Sequence, residues 1–417
     1  MTVSQAVGLA LTIVIGAGLL VLPGLAYQQA GGAALYVWIL DLVLVAPLLV
    51  IFAKLGAKWP GAGGVAGFLQ NAFSRRWGAA AEVLLVGTFG LGIPAIALTG
   101  GQYCAAATGA GNDAVPMFAF ILLLAAAAVN WRGAGVSGDI QRTLAFVLCG
   151  VLFAAALLAL IFGDRSRGEP IAAATDIDTW RAALPAAGLV FFAFTGWEMM
   201  SFTSEEYRNP RRDFPLAVGV SFAVVALLYL TVAAAVQLTL PRDAHQTSVA
   251  PLAALLAPVS GAAGAVFVSA AAAVILFANL IGAMWAASRL VFSSAREGLL
   301  PRAFAALSSR RTPRAAIAVC LAVFCVALAA EAAGIWKIDD MLRLAGQNFF
   351  FLYAMSVAAY LRIASTVASR LLGAASLAVS VAMMGVFGLE MLYPVFLLAV
   401  GALWHSRIKR RAEKAAA

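Results

Sequence analysis

Apolar runs of about 20 residues return along the whole of this chain, and each is long enough to cross a bilayer as a helix. In that medium every backbone amide and carbonyl must find a partner within the protein, so only helices and closed barrels span it. The short alternating strands of a barrel are absent from the sequence. A soluble domain could not cover the surface of a chain that is 63% hydrophobic and 11% charged. The pattern predicts an all-α membrane protein with about twelve transmembrane helices. The runs lie at 5–27, 33–54, 79–106, 114–130, 139–163, 183–205, 214–240, 260–292, 314–333, 339–362, 369–388 and 389–406. The longest connections are 165–182 and 241–259, and only Gly388 and Glu390 divide the last two runs.

The net charge of +9 could indicate an anionic partner, but its distribution argues otherwise. With the N-terminus inside, roughly 22 of the 28 Lys and Arg fall on one side, as the positive-inside rule requires. Lys54, Lys58, Arg75, Arg76, Arg208, Arg211, Arg212, Arg310, Arg311, Arg314 and the basic tail all lie there, while Asp113, Asp164, Glu169, Asp176, Asp178, Asp339 and Asp340 lie opposite. The basic charge is topological, nucleic acid is not expected as a partner, and both termini are placed in the cytoplasm. Arg211, Arg212 and Asp213 read first as loop charges that orient the protein, with a gating salt bridge as the sharper alternative. Cys104, Cys149, Cys320 and Cys325 sit in apolar runs away from any metal-ligand spacing and read as small buried hydrophobes. No metal or cofactor is expected. The first span follows the N-terminus almost at once, without a basic leader, so a cleaved signal is not expected.

Two of the runs are interrupted. The first carries Gly16-Ala17-Gly18 at its centre, with Pro23 beyond. Glycine costs a helix about 1 kcal/mol relative to alanine, and proline removes an amide donor. A break at that depth is tolerable only where the freed groups are buried in protein or line a cavity; a glycine-packed helix contact is the other reading. The sixth run carries Phe192-Ala193-Phe194-Thr195-Gly196-Trp197-Glu198. Thr195 and Gly196 weaken the helix, and Glu198 is an ionisable group in the hydrocarbon zone, a default functional candidate. Its alternative is a protonated acid hydrogen-bonded to a neighbouring helix. Breaks five spans apart fit a five-helix unit used twice with the second copy inverted, so that the breaks face each other at the midplane. Between spans two and three, Pro60 and the glycines after it end a helix. Val65, Phe68, Leu69, Ala72 and Phe73 then recur at helical spacing, as in a short interfacial helix.

These motifs occur in order: Gly16-Ala17-Gly18 before Pro23, Pro60 with Gly63-Gly64, Asn130 to Gly138 leading into Gln141, Phe194 to Glu198, Glu206-Tyr207-Arg208-Asn209-Pro210, and Ser288-Arg289 through Arg296-Glu297-Gly298-Leu299-Leu300-Pro301. Together they resemble the amino acid–polyamine–organocation superfamily of transporters over almost the entire chain. Within it, Pro60 to Ala66 and Glu206 to Pro215 look most like the bacterial methionine and branched-chain amino-acid exporters.

The resemblance implies one integral transporter domain in the cell inner membrane, with a ten-helix LeuT-like inverted-repeat core and two peripheral helices. The first repeat is 5–163, the second 183–362, and the peripheral pair 369–406. It implies that the first break binds a substrate carboxylate and the sixth-span break its ammonium. Freed amides at Gly16, Ala17 and Gly18 suit the first role, at the positive end of a half-helix. Carbonyls of Phe192, Ala193, Phe194 and Thr195 suit the second. Gly16, Gly18 and Gly196 let a ligand approach the backbone. The family often has Ser or Thr where this chain has Ala17, so a side-chain hydroxyl for the carboxylate is missing. Ile15, Leu19, Phe194 and Trp197, together with Ile93 and Phe350, are candidates for side-chain selectivity, and none offers a charge. A neutral apolar amino acid follows, carried by proton antiport or exchange, with Glu198 coupling or gating. Span eight offers Ser269 and Asn279 as polar residues but no evident sodium site. The protein is expected as a monomer or homodimer surrounded by lipid.

Other classes fit less well. Gly135-Val136-Ser137-Gly138 matches a pattern of membrane serine proteases, but a serine nucleophile needs a base within reach. His245 and His405 fall in an outer loop and near the inner tail. A channel would show a filter-like segment, which is lacking. A carrier for another small amine or an organic acid in the uptake direction is the remaining alternative.

Overall fold

The computed structural model describes residues 1–244, 247, 251–385 and 391–416. Side chains are described for all of these except 17, 134–137, 192, 253, 257–265, 339, 383, 385 and 408–416. Gly388 and Glu390, which divide the last two runs, and His245 of the outer loop lie outside the described residues. Among those described the chain is helical throughout, with no strand.

Helices stand at each predicted stretch. The first is split into α1 (Val3–Val14) and α2 (Ala17–Ala30), and the second is α3 (Ala34–Lys58). The interfacial segment is α4 (Gly64–Ala72). Then follow α5 (Arg75–Thr108), α6 (Val115–Trp131) and α7 (Ala134–Phe162). The sixth stretch opens as α8 (Ile177–Val190) and continues as two 3₁₀ segments, Phe191–Phe194 and Trp197–Glu206. The remainder is α9 (Pro210–Thr239), α10 (Pro251–Arg296), α11 (Arg314–Ala332), α12 (Ile338–Leu361), α13 (Val367–Gly385) and α14 (Leu392–Ala416). Among the described residues, eight helical stretches are long and apolar enough to cross a membrane, which makes this a multi-pass membrane protein. The pieces of the two broken stretches α1 and α8 are individually shorter than that.

Local chemistry explains the ends. Thr2 and Gln5 form a reciprocal capping box on α1, satisfying two of its orphan amides. Pro210 occupies the first turn of α9, where its missing amide costs nothing. Prolines inside helices do the reverse: Pro23, Pro47, Pro94 and Pro185 each free a carbonyl one turn back.

Three packing features position the site. α1 packs against α7, α9 and α10. α2 lies on α8, and α5 runs through the middle in contact with α6, α10, α12 and α14. At one end the loop after α7 closes over the bundle. The Ala172 amide donates to the Gly32 carbonyl, Glu169 N–H to the Gln237 carbonyl, and Arg242 pairs with Glu169. Of the four free cysteines, Cys320 is buried and the others are half-buried.

Candidate functional site

The two breaks face each other across a few ångströms. α1 ends at Val14, Ile15 and Gly16 leave helical geometry, and α2 restarts at Ala17 with Gly16 as an N-cap that has no side-chain bond. The Ala17 and Gly18 amides therefore have no helical acceptor, while the Leu19 amide donates to the Gly16 carbonyl. Opposite, α8 gives way at Phe191 to a 3₁₀ turn, and Gly196 adopts φ +106°, a left-handed conformation open to glycine at no steric cost. The approach is tight. A Cβ on Gly18 would stand 2.9 Å from the Ala193 Cα, one on Gly16 would stand 2.9 Å from Asn279 Nδ2, and one on Gly196 would stand 3.2 Å from Ile13 Cγ2.

Side chains from flanking helices cap the freed carbonyls. The Tyr229 hydroxyl of α9 reaches both breaks, 3.0 Å from the Val14 carbonyl and 3.1 Å from that of Ala193. Asn279 Nδ2 of α10 donates to the Ile13 carbonyl. Glu198 is fully buried, and its Oε2 accepts the Gly196 amide at 3.1 Å and the Tyr353 hydroxyl of α12 at 2.9 Å. Its carboxylate thus closes a two-residue loop over the left-handed glycine.

Between the breaks lies a cavity of about 80 Å³. Gly16, Gly18, Ala193, Thr195 and Gly196 line it, joined by Ile13, Thr88, Phe89, Ile93, Met199, Asn279 and Phe349. No charged side chain is among the described residues that do so. Pro94 in α5 leaves the Gly90 carbonyl without its helical donor, next to lining residues Phe89 and Gly92.

Several predicted residues sit elsewhere. Ile15 and Leu19 are buried but do not line the cavity. Phe194 packs edge-on against Tyr229 and close to Trp38, and Trp197 edge-on against Phe222, so both wedge the break from behind. Phe350 stacks on Phe191, and its neighbour Phe349 faces the cavity instead. The side chains of Ala17 and Phe192, and those of Gly135, Val136 and Ser137, lie outside the described set. Tyr229 and Tyr353 escaped the sequence reading. A tyrosine in mid-span is a signal in itself, because its buried hydroxyl needs a partner. Nothing in the sequence says which.

Comparison with known proteins gives the family. A family model described as amino acid permease matches residues 1–416. The uncharacterized amino acid permease YecA of Bacillus subtilis is 31% identical over 361 residues, 85% of this chain and 84% of the relative. The L-methionine/branched-chain amino acid exporter YjeH of Escherichia coli is 28% identical over 420 residues, 98% of this chain and 96% of its own length. The branched-chain amino acid permease BcaP of Lactococcus lactis is 22% identical over 336 residues, 75% of this chain and 72% of its own. Broken helices that face each other around an uncharged cavity, and a family match from end to end, lead to one statement: this chain belongs to the amino acid permease family, within the amino acid–polyamine–organocation superfamily of transporters.

Proposed function

We propose that the protein is a secondary carrier of neutral apolar amino acids, methionine, leucine, isoleucine and valine, and that it exports them by proton antiport or exchange. The observation that carries this reading is the cavity between the two breaks, open to backbone on both sides and free of charged side chains among the described residues. The Gly16, Ala17 and Gly18 amides receive the carboxylate at the positive end of α2. The carbonyls of Phe192, Ala193, Phe194 and Thr195 receive the ammonium; that of Ala193 already accepts Tyr229 and keeps one lone pair. Phe89, Ile93, Met199 and Phe349 meet the side chain, with Ile15, Leu19, Phe194 and Trp197 shaping the breaks from outside. By this measure a water needs roughly 10–15 Å³, so the cavity takes on the order of six water-sized groups, the scale of a small amino acid. Glu198 couples or gates, since it holds the second break through Gly196.

The contacts support a five-plus-five inverted core with α13 and α14 outside it. Spans one and six meet (α2 on α8), as do two and seven (α3 on α9), three and eight (α5 on α10), and four and nine (α6 on α11). A two-fold relation between 5–163 and 183–362 brings equivalent spans together in this way. The relatives named for methionine and branched-chain substrates favour the apolar choice, and the exporter favours outward transport. The location is the inner membrane, and the charge bias supports placing both termini in the cytoplasm.

Counterflow of labelled leucine in proteoliposomes, against a panel of unlabelled amino acids, tests the reading. Competition confined to methionine, leucine, isoleucine and valine supports it. Preference for arginine or glutamate, or large single-channel conductance, would overturn it.

A further inference from the structure

Between α3 and α9 a cleft of about 860 Å³ opens on the outer surface of the bundle. Leu49, Val50, Val218 and Phe222 form its apolar length, and Lys54, Lys58 and Arg211 stand at one end. We propose that this cleft binds an anionic phospholipid, with its phosphate among the three cations and an acyl chain along the apolar wall.

The cations are placed for one headgroup. Lys54 and Lys58 are one turn apart on the same face of α3. Arg211 faces them from the first turn of α9, at the positive end of the helix dipole. All three are exposed. Lys54 Nζ donates to the Tyr360 hydroxyl at 3.1 Å, and Lys58 lies over the Trp59 ring, but among the described residues none of the three has a carboxylate partner. Asp213 in the same turn of α9 is committed to the Asn209 amide. Three other cations at this end are paired, Arg75 with Glu297, Arg289 with Glu206, and Arg296 with Glu205. The apolar groove between α6 and α11 carries Arg132 among its described lining residues, with Arg314 over the Trp131 ring. Uncompensated basic residues at the mouth of a cleft between membrane helices match the chemistry of a phospholipid phosphate. The floor of the cleft also touches the site, since the Phe222 ring lies edge-on to Trp197 in the segment after the second break.

The test compares spin-labelled phosphatidylglycerol with spin-labelled phosphatidylcholine on the purified full-length protein in nanodiscs. Three variants are compared with the parent: the triple Lys54→Gln/Lys58→Gln/Arg211→Gln, the control pair Arg310→Gln/Arg311→Gln, and Gly219→Phe. A Cβ at Gly219 meets no atom within 4 Å, so the phenylalanine can fill the cleft without displacing the fold. The triple variant is expected to lose the preference for phosphatidylglycerol about tenfold, Gly219→Phe to lose it with all charges intact, and the control pair to keep it. An unchanged preference in Gly219→Phe, or an equal loss in the control pair, overturns the site. If the triple variant does not fold, the Gly219→Phe comparison decides alone. The readout is lipid binding, so it stands apart from the choice of transported substrate.

Discussion

A methyl group at Gly18 would press on the Ala193 backbone, which cannot rotate away as a flexible side chain could. Overpacking of this kind costs about 1–3 kcal/mol. Gly18→Ala is therefore expected to lower leucine affinity about tenfold or more while leaving the protein monodisperse, as measured by direct binding. Tyr229→Phe isolates the other side of the same junction. It keeps the ring against Trp38 and Phe194 but strips the donor from the Val14 and Ala193 carbonyls. Leaving a buried acceptor unsatisfied costs about 1–3 kcal/mol, so the variant should melt at a lower temperature than the parent in detergent. Gly16, Gly18 and Gly196 were legible in the sequence because glycines are costly in mid-span. Tyr229 was not, and Asn279 stood out only as a polar residue of span eight, because their contacts depend on which helices lie alongside.

The segment Trp197–Glu206 shows how an element departs from its sequence pattern. Its apolar content reads as a helix resuming after the break, yet it winds as ten residues of 3₁₀ helix. Such a helix rises about 2.0 Å per residue against about 1.5 Å for an α-helix, so the segment reaches roughly 5 Å further. Two of its hydroxyls hold carbonyls within it. Ser201 Oγ donates to the Glu198 carbonyl and Thr203 Oγ1 to that of Met200, each three residues back. Hydroxyls of this kind compete with the backbone ladder. Glu198 controls the same element through Gly196 and Tyr353. Glu198→Gln keeps an acceptor for both partners but cannot lose a proton. It should retain counterflow at a fixed pH and lose the dependence of flux on a pH gradient. Full pH-driven flux in this variant would assign Glu198 a purely structural part.

At the scale of the whole molecule, the bundle is shut at the end where the second break's segment terminates. Arg289 and Glu206 pair at 2.9 Å with both side chains largely buried, and the N-terminal ammonium donates to the Glu206 carbonyl. Gly61 and Ser204 exchange two further hydrogen bonds beside them. Removing one partner of a buried pair leaves the other charge uncompensated. Glu206→Gln should therefore open this end and speed alkylation of a cysteine placed at Met199 several-fold, measured with the native cysteines replaced by serine. The helices and their order were legible because a span's length follows from the bilayer. The facing of spans one and six was read from their paired breaks, but the contacts of spans two to four with spans seven to nine were not, because residue-by-residue similarity between the halves is too faint to read. The central claim is that backbone groups of the two facing breaks read both ends of an amino acid. Binding of leucine, leucinamide and N-acetylleucine to the purified protein tests it most directly: both analogues should bind at least about tenfold more weakly than leucine, each having lost one charged end, and equal binding of either would contradict the account.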